Sequence, residues 1–429
     1  MTLKHLSKIN KRNLKFSQSK EPLSNDAGSA LIQFFMINCL NIKEFFRNYL
    51  PIQDDRRYYF HPNENLFVQF LTLLIQGYHS DAHHSIKRTD VINNLCWGGN
   101  GASQSSVSRF LKRLSQITPE FWNKALLFLA KQFFKAQNYR YLVLDIDSTH
   151  FDTYGHQEKT AFNSHYGTMG YHPLLITETQ SGLVLPLLLR SGERYTSYNA
   201  EELLKPLIES LKDYSLILRG DSGFATPDIY ALSEEYNFDF VIRLKKNPRL
   251  NKLATEAIDP VLFSESTDHE VCTYEELDYR AKSWDGFTAR VVSEAKRPVN
   301  ELIFDTTELV TSLEKASIEE IFRFYRQRGE MENIIKELKE GFAFGKTDST
   351  SFEVNQARMY LSAIAYNIVQ LFKHQFIPRD QWTGINKLRF NYFHVGGKIV
   401  KHARQVTIVL SANYERYKEW ASLMMAILE

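Results

Sequence analysis

The chain has 429 residues, of which 43% are hydrophobic and 24% charged, a balance typical of a folded protein with two or three domains. The formal net charge is only +2, so binding to nucleic acid would have to come from local basic patches. No apolar run reaches the ~18–20 residues that a membrane span needs. The three cysteines, Cys39, Cys96 and Cys272, form no CxxC pair or disulfide framework. The start of the chain lacks an apolar signal core, so we expect a cytoplasmic protein without a membrane partner.

The N-terminal part of the chain is predicted to be helical and to offer two basic segments. Residues 1–20 contain lysines and an arginine but no acid, which suits either a solvated tail or an arm on DNA phosphates. Residues 29–80 show apolar side chains at helical spacing. A glycine-rich turn then precedes a predicted helix over residues 103–113, with Ser103 as its N-cap. Its outward residues are typical of the second helix of a helix-turn-helix, and these candidate DNA contacts are Gln104, Ser105, Ser108, Arg109 and Lys112. An ordinary surface helix has the same pattern, so that alternative stays open.

Two carboxylates end the first predicted strand. After a helix over residues 121–134, residues 139–149 begin as an apolar, β-favouring run and then carry Asp145 and Asp147. Side chains alternate along a strand, so both acids point to the same face. Acids at the end of a buried strand cost free energy unless an arginine, backbone amides or a metal ion compensates them. The alternative is a strand-end turn in which an aspartate caps the next segment.

The elements that follow predict a mixed α/β sheet. After a polar loop, strands are expected at residues 171–178, 183–190, 214–219 and 238–244, with helices that start at Asn199 and Pro227. Residues 251–315 lose helical periodicity and show short alternating runs, which favours a β-rich insertion. This insertion contains Trp284 beside two polar residues, which indicates an exposed aromatic side chain.

The C-terminal third is predicted to be mostly helical. A capping box at residues 317–320 starts a long helix that ends at Gly341. Helices at residues 355–372 and 414–428 flank a basic stretch over residues 386–405. One face of the long helix combines an aromatic residue with both signs of charge, and its members are Tyr325, Arg328, Glu332, Lys336 and Lys339. By itself, this face is also compatible with a solvated surface laced with salt bridges.

Three carboxylates can meet at one edge of the predicted sheet. Asp147 and Asp221 each follow a hydrophobic strand, and Glu332 lies on the long helix. Carboxylates in a small space repel each other unless cations bind, and all-oxygen ligation suits Mg²⁺ or Mn²⁺. Two such ions, roughly 3.5–4 Å apart, activate a nucleophilic oxygen and stabilise a leaving oxygen in phosphoryl transfer. Arg328 as a planar fork and Lys339 as a point charge would then hold phosphate oxygens.

The spacing of the helix residues adds a specific resemblance. The pattern Y-x₂-R-x₃-E-x₆-K resembles the YREK signature of bacterial insertion-sequence transposases of the DDE domain group 1 type, and here it is formed by Tyr325, Arg328, Glu332 and Lys339. Residues 144–149 resemble the first-aspartate strand of these DDE transposases, and residues 218–224 resemble their second-aspartate motif. Residues 251–315 fall where such enzymes insert a β domain.

The resemblance implies a ribonuclease H-like fold, with a mixed sheet, a β-rich insertion, and helical N- and C-terminal regions. It implies DNA strand cleavage and strand transfer, with two Mg²⁺ or Mn²⁺ ions held by the catalytic residues Asp147, Asp221 and Glu332. Contacts to DNA phosphates would come from the other members of the helix face, which are Tyr325, Arg328, Lys336 and Lys339. Asp145 would not bind the metal directly but would orient a metal-bound water or a nearby lysine. Trp284 would either stack on a flipped base or, alternatively, fill the core.

The resemblance also implies partners and a division of the chain. The partners would be double-stranded DNA, as terminal inverted repeats and target DNA, and a second copy of the chain in a homodimer. The protein would work in the bacterial cytoplasm and associate with the nucleoid when bound. The expected parts are a helical DNA-binding region over 1–135, the first core part over 136–250, the insertion over 251–315, the second core part over 316–380 and a basic, helical region over 381–429.

Two alternatives to a transposase use the same residues differently. The stretch from Asp145 to Thr149 fits D-x-D-x-T, the nucleophile loop of an aspartate-nucleophile phosphatase, in which Asp145 would attack phosphorus and Asp147 would act as acid and base. That reading leaves the charged helix face unexplained, and Asp228 is too far from Asp221 for the usual second motif. The other alternative is a catalytically inactive, sequence-specific DNA-binding protein descended from a transposase.

Overall fold

An eight-stranded mixed sheet organises the computed structural model, which describes residues 15–284 and 286–429. The predicted basic arm over residues 1–20 therefore lies mostly outside the described residues. In chain order, the strands are β1 (Tyr141–Ser148), β2 (Phe151–Asp152), β3 (Ala161–Asn163), β4 (Thr168–Tyr171), β5 (Leu174–Glu178), β6 (Leu183–Leu188), β7 (Ser215–Gly220), β8 (Asp239–Arg243), β9 (Val271–Leu277), β10 (Arg290–Arg297), β11 (Asp305–Thr311), β12 (Gly397–His402) and β13 (Gln405–Leu410).

The large sheet has the strand order β6-β5-β1-β7-β8-β11-β10-β9. β1, β5 and β6 are antiparallel neighbours, whereas β7 lies parallel to β1, and β8 lies parallel to β7. Three antiparallel strands followed by two parallel ones form the ribonuclease H-like arrangement. The predicted fold class is therefore confirmed, and the carboxyl ends of β1 and β7 meet at one edge of the sheet.

Most of the helices lie before β1 and after β11 in the chain. They are α1 (Ala30–Phe34), α2 (Ile42–Tyr49), α3 (Asn63–Gln76), α4 (Ala82–Lys87), α5 (Val91–Trp97), α6 (Gln104–Leu114), α7 (Pro119–Ala136), α8 (Ala200–Ser210), α9 (Pro227–Tyr236), α10 (Pro248–Glu256), α11 (Ile318–Arg326), α12 (Gly329–Phe342), α13 (Phe352–Phe376), α14 (Ile385–Leu388) and α15 (Tyr417–Leu428). In the described ranges, every helix is too short or too polar to cross a membrane.

Two helices cover the open edge of β6, where unpaired backbone groups would otherwise face water or another chain. Asn367 on α13 bonds both the N–H and the carbonyl of Val184, at 2.9 and 2.7 Å. Asn123 on α7 does the same for Leu187, at 3.0 and 3.1 Å. These contacts fix α7 and α13 against the half of the sheet that carries β1.

The predicted β-rich insertion continues the large sheet. β11 pairs antiparallel with β8, and β10 and β9 follow it outward. The alternating runs, at residues 276–282, 288–294 and 301–305, coincide with the strands only in part. β10 covers most of the second run, whereas β9 and β11 overlap the first and third runs at one end only, and α10 precedes all three strands. A run of alternating residues shows that a strand is present but leaves its ends undetermined when turn signals are weak.

Three other segments differ from the sequence prediction. Part of the expected polar loop after β1 joins β4 in a small sheet of order β2-β4-β3, and the expected strand over residues 171–178 is split at Pro173 between that sheet and the large one. Residues 50–62, expected to be helical, form a loop between α2 and α3. The basic C-terminal stretch contains the hairpin β12–β13 rather than only helix.

Candidate active site

The register of two parallel strands brings the first two predicted acids together. β1 and β7 pair Asp145 with Arg219 and Ile146 with Gly220, and the next residues along the two strands are Asp147 and Asp221. The two aspartates therefore lie side by side where the strands end. The Asp221 carboxylate also accepts the backbone N–H of Gly223 at 2.9 Å, which caps the short helical turn after β7.

Asp145 is occupied by a buried ion pair. Arg219 donates from Nε and Nη2 to the two carboxylate oxygens of Asp145, at 2.7 and 2.8 Å, and both side chains are at most 1% exposed. Thr179 donates to the same carboxylate at 2.8 Å. Arg219 Nη1 also donates to the backbone carbonyl of Phe324 at 2.5 Å, on the last turn of α11. The Asp145–Arg219 pair thus joins β1 to β7, and Arg219 joins both strands to α11, where the YREK-like signature begins.

This pairing decides two sequence interpretations. The phosphatase alternative needs Asp145 as an accessible nucleophile, but the residue is 1% exposed and both oxygens are bonded to Arg219. The geometry contradicts that alternative. Asp145 also contacts an arginine rather than the lysine or metal-bound water suggested by its place on the strand. Sequence reasoning missed Arg219, although an arginine two residues before Asp221 was a usable signal once the strands are placed in register.

Asp147 contacts Arg328 instead of Arg219. Arg328 Nη2 lies 2.9 Å from Asp147 Oδ2 across the sheet edge. Burial nevertheless raises the pKa of Asp147 to about 6, opposed by the Arg328 charge and supported by the charges of Asp221 and Glu332. Both predicted partner carboxylates therefore act on Asp147 electrostatically. The neighbouring carboxylates and Tyr325 raise the pKa of Arg328 despite its burial.

Arg328 has hydrogen-bond donors that are not used in this conformation, among the residues that the structure describes. Its Nε and Nη2 are buried and have no aligned hydrogen-bond acceptor among the described residues, so the contact with Asp147 is an ion pair without hydrogen-bond geometry. Buried guanidinium nitrogens are ordinarily satisfied. This guanidinium can therefore accept an additional anionic partner at the site.

Arg328 lies at a break in the signature helix. The sequence predicts one long helix, but α11 ends at Arg326 and α12 begins at Gly329, with Arg328 as the N-cap of α12. The predicted capping box starts α11, since Ser317 and Glu320 bond each other's backbone N–H groups. The helix runs one residue past the predicted end at Gly341, to Phe342, and Ala343 in the left-handed conformation caps it.

The remaining signature residues are spread along this helix pair. Tyr325 donates its hydroxyl to the Gly220 carbonyl at 3.3 Å, directly before Asp221. Glu332 and Lys336 are exposed on α12. Lys339 is half-buried with its Nζ 6.0 Å from the centre of the Phe151 ring, and burial lowers its pKa. The helix pair thus places Tyr325 and Arg328 against the two aspartates and leaves Lys339 further along the same edge.

The donor chemistry of the site suits a hard cation, but the conformation does not close around one. Asp147, Asp221 and Glu332 supply only carboxylate oxygens, the ligands that Mg²⁺ and Mn²⁺ prefer. Over residues 15–284 and 286–429, no three acidic, histidine or cysteine side chains are close enough to share a metal ion. The Arg328 guanidinium supplies the positive charge next to Asp147 in this conformation. A metal ion on Asp147 would have to displace that contact.

Sequence reasoning also missed an aromatic pair beside the carboxylates. Tyr166 stacks on His150 with ring centres 4.9 Å apart, and burial followed by the charges of Asp147 and Asp221 raises the pKa of Tyr166. The Asn163 side chain builds the supporting turn by accepting the N–H groups of residues 165 and 166, at 3.0 and 3.2 Å. An asparagine before a turn was the available signal, but Asn163 lies within residues 151–164, which were expected to be a polar loop.

The other candidate DNA contacts fall on different surfaces. α6 forms as predicted, with Gln104, Ser105 and Arg109 exposed, Ser108 half-buried and Lys112 exposed. Trp284 is 3% exposed and packs edge-on against Tyr230 and Phe287, at 5.6 and 5.9 Å between ring centres. The expected exposure of Trp284 is therefore wrong, and of the two alternatives for its role the structure has the one in which the ring fills the core.

Comparisons with known proteins place the chain in a family. A family model described as "Transposase DDE domain group 1" matches residues 6–429. The chain therefore belongs to the DDE transposase family, whose members generally use divalent metal ions. The comparison with curated proteins finds no match. Among solved structures, the chain resembles "Cryo-EM structure of piggyBac transposase synaptic complex with hairpin DNA (SNHP)", at 12% identity and a TM-score of 0.49, over 96% of this chain and 84% of that one.

Proposed function

We propose that this chain cuts the ends of a bacterial insertion element and joins them to target DNA, with Asp147, Asp221 and Glu332 as its metal-binding and catalytic carboxylates. The observation that carries the proposal is the β1–β7 register, which sets Asp147 and Asp221 side by side at the strand ends. The charges of Asp221 and Glu332 that act on Asp147 support the same grouping. Membership of a DDE transposase family supports the reaction class.

Divalent ions, when bound, would activate the attacking oxygen and stabilise the leaving oxygen of the phosphodiester. Asp147 and Asp221 would hold Mg²⁺ or Mn²⁺ at the sheet edge, with Glu332 from α12 as the third carboxylate. Two ions fit this chemistry, because three carboxylates provide enough oxygen ligands for a shared site. Asp145 would not bind metal, since Arg219 occupies both of its oxygens.

The cationic side chains would orient the DNA backbone. Arg328 has two guanidinium nitrogens without an aligned acceptor among the described residues, so a phosphate could take them when Arg328 leaves Asp147. Lys339 and Lys336 follow on α12 and would contact phosphates further along the strand. Tyr325, bonded to the Gly220 carbonyl, would hold the second-aspartate turn in place and face the same backbone.

DNA recognition would use a separate surface. The N-terminal half of α6 presents Gln104, Ser105, Ser108 and Arg109, short polar and basic side chains that suit a major groove. Lys112 would contact a backbone phosphate at the edge of that groove. Double-stranded terminal repeats would bind here, and two copies of the chain would hold the two ends of one element, because each end needs its own site.

The test uses the full-length protein and a duplex from the DNA that flanks its gene, where terminal inverted repeats are expected. Wild-type protein should cleave this duplex in Mg²⁺ and should not cleave it in EDTA. Asp147→Asn, Asp221→Asn and Glu332→Gln should each reduce cleavage to background while gel-shift binding remains. Glu330→Gln, a neighbouring exposed acid on α12, is the matched control and should cleave normally.

Each outcome assigns a role. Normal Mg²⁺-dependent cleavage by one of the three variants would remove that residue from the catalytic set. A wild-type footprint on the repeats without Mg²⁺-dependent nicks would favour the inactive DNA-binding alternative instead. Loss of cleavage in the Glu330 control would mean that charge on α12, rather than Glu332 itself, is what the reaction needs.

A further inference from the structure

The loop between α2 and α3 exposes three consecutive large aromatic side chains. Tyr58, Tyr59 and Phe60 are 84%, 57% and 87% exposed. Their recorded ring contacts are with sequence neighbours: the Arg57 and Arg56 guanidinium carbons lie 5.7 and 4.8 Å from the ring centres of Tyr58 and Tyr59, and the Phe60 ring lies edge-on to His61 at 4.9 Å. Exposed apolar side chains clustered in this way usually mark a surface that binds something. The active-site proposal makes no use of them.

The base of this loop is firmly built. Arg56 donates from Nε and Nη2 to the two carboxylate oxygens of Asp54, at 2.7 and 2.6 Å, and to the Asn63 side chain at 3.0 Å. Asn63 in turn donates to Asp54 at 2.9 Å, and Arg56 also reaches the His61 carbonyl at 3.2 Å. These bonds on both sides of residues 57–60 fix the two ends of the segment that carries the aromatic rings, which lowers the backbone conformational entropy lost when a partner binds.

The same network joins the loop to α6. Arg113, on the last turn of α6, donates from Nε and Nη2 to Asn63 Oδ1, at 3.1 and 3.0 Å. The loop that carries the aromatic rings is therefore anchored to the C-terminal end of the helix proposed to contact DNA. Residues 101–119, which include α6, contain Arg109, Lys112 and Arg113 but no acid. The loop itself is formally neutral, because Asp54 and Asp55 balance Arg56 and Arg57. The positive charge of this surface therefore comes from Arg109, Lys112 and Arg113 of α6.

We propose that residues 56–60 are a second DNA-contacting surface, in which the rings of Tyr58, Tyr59 and Phe60 pack against bases and sugars of the duplex held by α6. This inference rests on the proposed DNA function. Aromatic and apolar side chains next to basic residues suit DNA, because rings insert between or stack on bases while cations bind phosphates. Arg57, which precedes the rings, contacts a phosphate of the same duplex.

The experiment measures binding of a fluorescein-labelled element-end duplex by anisotropy, in EDTA so that the DNA stays intact. The triple variant Tyr58→Ser, Tyr59→Ser, Phe60→Ser should bind at least ~10-fold more weakly than wild type, with little change in salt dependence. Arg57→Gln should instead reduce the slope of log affinity against log salt by about 1. The matched control is Leu302→Ser, Ile303→Ser, two apolar residues that are each 77% exposed on another loop.

The results separate this surface from its rivals and from the proposed function. A loss below twofold in the triple variant, or an equal loss in the Leu302/Ile303 control, overturns the inference. Light scattering that shows loss of a DNA-free dimer in the triple variant assigns the rings to a second copy of the chain and also overturns it. Wild-type cleavage in Mg²⁺ is measured in parallel, so an inactive wild type with the predicted binding loss refutes catalysis but not this surface.

Discussion

Asp145 and Asp147 are two residues apart on one face of β1, yet they lie in opposite environments. Asp145 is buried, and both of its oxygens accept hydrogen bonds from Arg219. Asp147, one step closer to the strand end, contacts Arg328 through an ion pair without hydrogen-bond alignment, and burial raises its pKa to about 6. The inner pair, Asp145 with Arg219, is a fully hydrogen-bonded structural contact. At the outer carboxylate, Asp147, another cation could replace Arg328.

The difference follows from where the partners come from. Arg219 lies opposite Asp145 on β7, so the strand register itself fixes the inner pair. Arg328 comes from the turn between α11 and α12, which is not part of the sheet. A partner on a neighbouring strand has its backbone fixed opposite the carboxylate, and here Arg219 would have to leave Asp145 as an unpaired buried charge. A partner on a helix junction can be exchanged for a ligand while the sheet stays intact.

The inner pair should show its structural role as a large loss of stability. Asp145→Asn leaves Arg219 buried and unpaired, which typically costs about 3–5 kcal/mol. We expect this loss in urea unfolding monitored by circular dichroism. The double variant Asp145→Leu, Arg219→Met should recover part of it, since replacing both charges removes the unpaired one. An Asp145→Asn protein with wild-type stability and no cleavage would instead move Asp145 into the reacting group.

The raised pKa of the outer carboxylate, Asp147, should make the stability of the fold depend on pH. Burial raises the folded-state pKa of Asp147 to about 6, above its ordinary value of 3.8, so the native protein binds this proton more tightly than the unfolded chain. Asp147 therefore stabilises the fold fully below about pH 4, and this contribution is lost as pH rises towards about 6 and stays lost above it. The shift corresponds to at most about 3 kcal/mol.

The measurement is the difference in unfolding free energy between wild type and Asp147→Asn, in EDTA, from pH 4 to pH 8. The difference should change in favour of the variant by up to about 3 kcal/mol as pH rises through 6, because asparagine resembles the protonated carboxyl. Taking the difference cancels the other titrating groups. A difference that stays constant across this range would show that Asp147 is ionised throughout and as well paired as Asp145.

The two aspartates also show which features of the site could be predicted from the sequence and which could not. Period-two alternation placed both acids on one face, and hydrophobic strands followed by Asp147 and Asp221 predicted the mixed sheet that the structure has. The Asp145–Arg219 pair could not be predicted, because it depends on the register between strands separated by more than 60 residues. Tyr166 was missed for the same reason, since its approach to the acids depends on how the small sheet folds over β1.

Local signals failed where tertiary contacts outweigh them. Trp284 sits among polar residues in sequence, yet the structure buries its ring against Tyr230 and Phe287. The helix face from Tyr325 to Lys339 keeps helical spacing across the break at residues 327–328, so the pattern alone gave no sign that α11 and α12 are separate. Arg328, which contacts Asp147, lies in that break.

The smallest expected effect tests whether Arg328 and a metal ion compete for Asp147. Arg328→Gln removes the cation that lies 2.9 Å from the carboxylate. Without DNA, calorimetric titration with Mn²⁺ should show affinity raised by roughly 10-fold, which is about 1.4 kcal/mol and reasonable for one charge at a partly exposed site. Cleavage should fall by a similar factor, because the phosphate contact is lost. The two changes have opposite sign only if Arg328 exchanges Asp147 for DNA; weaker Mn²⁺ binding together with weaker cleavage would mean that Arg328 simply holds the site in shape.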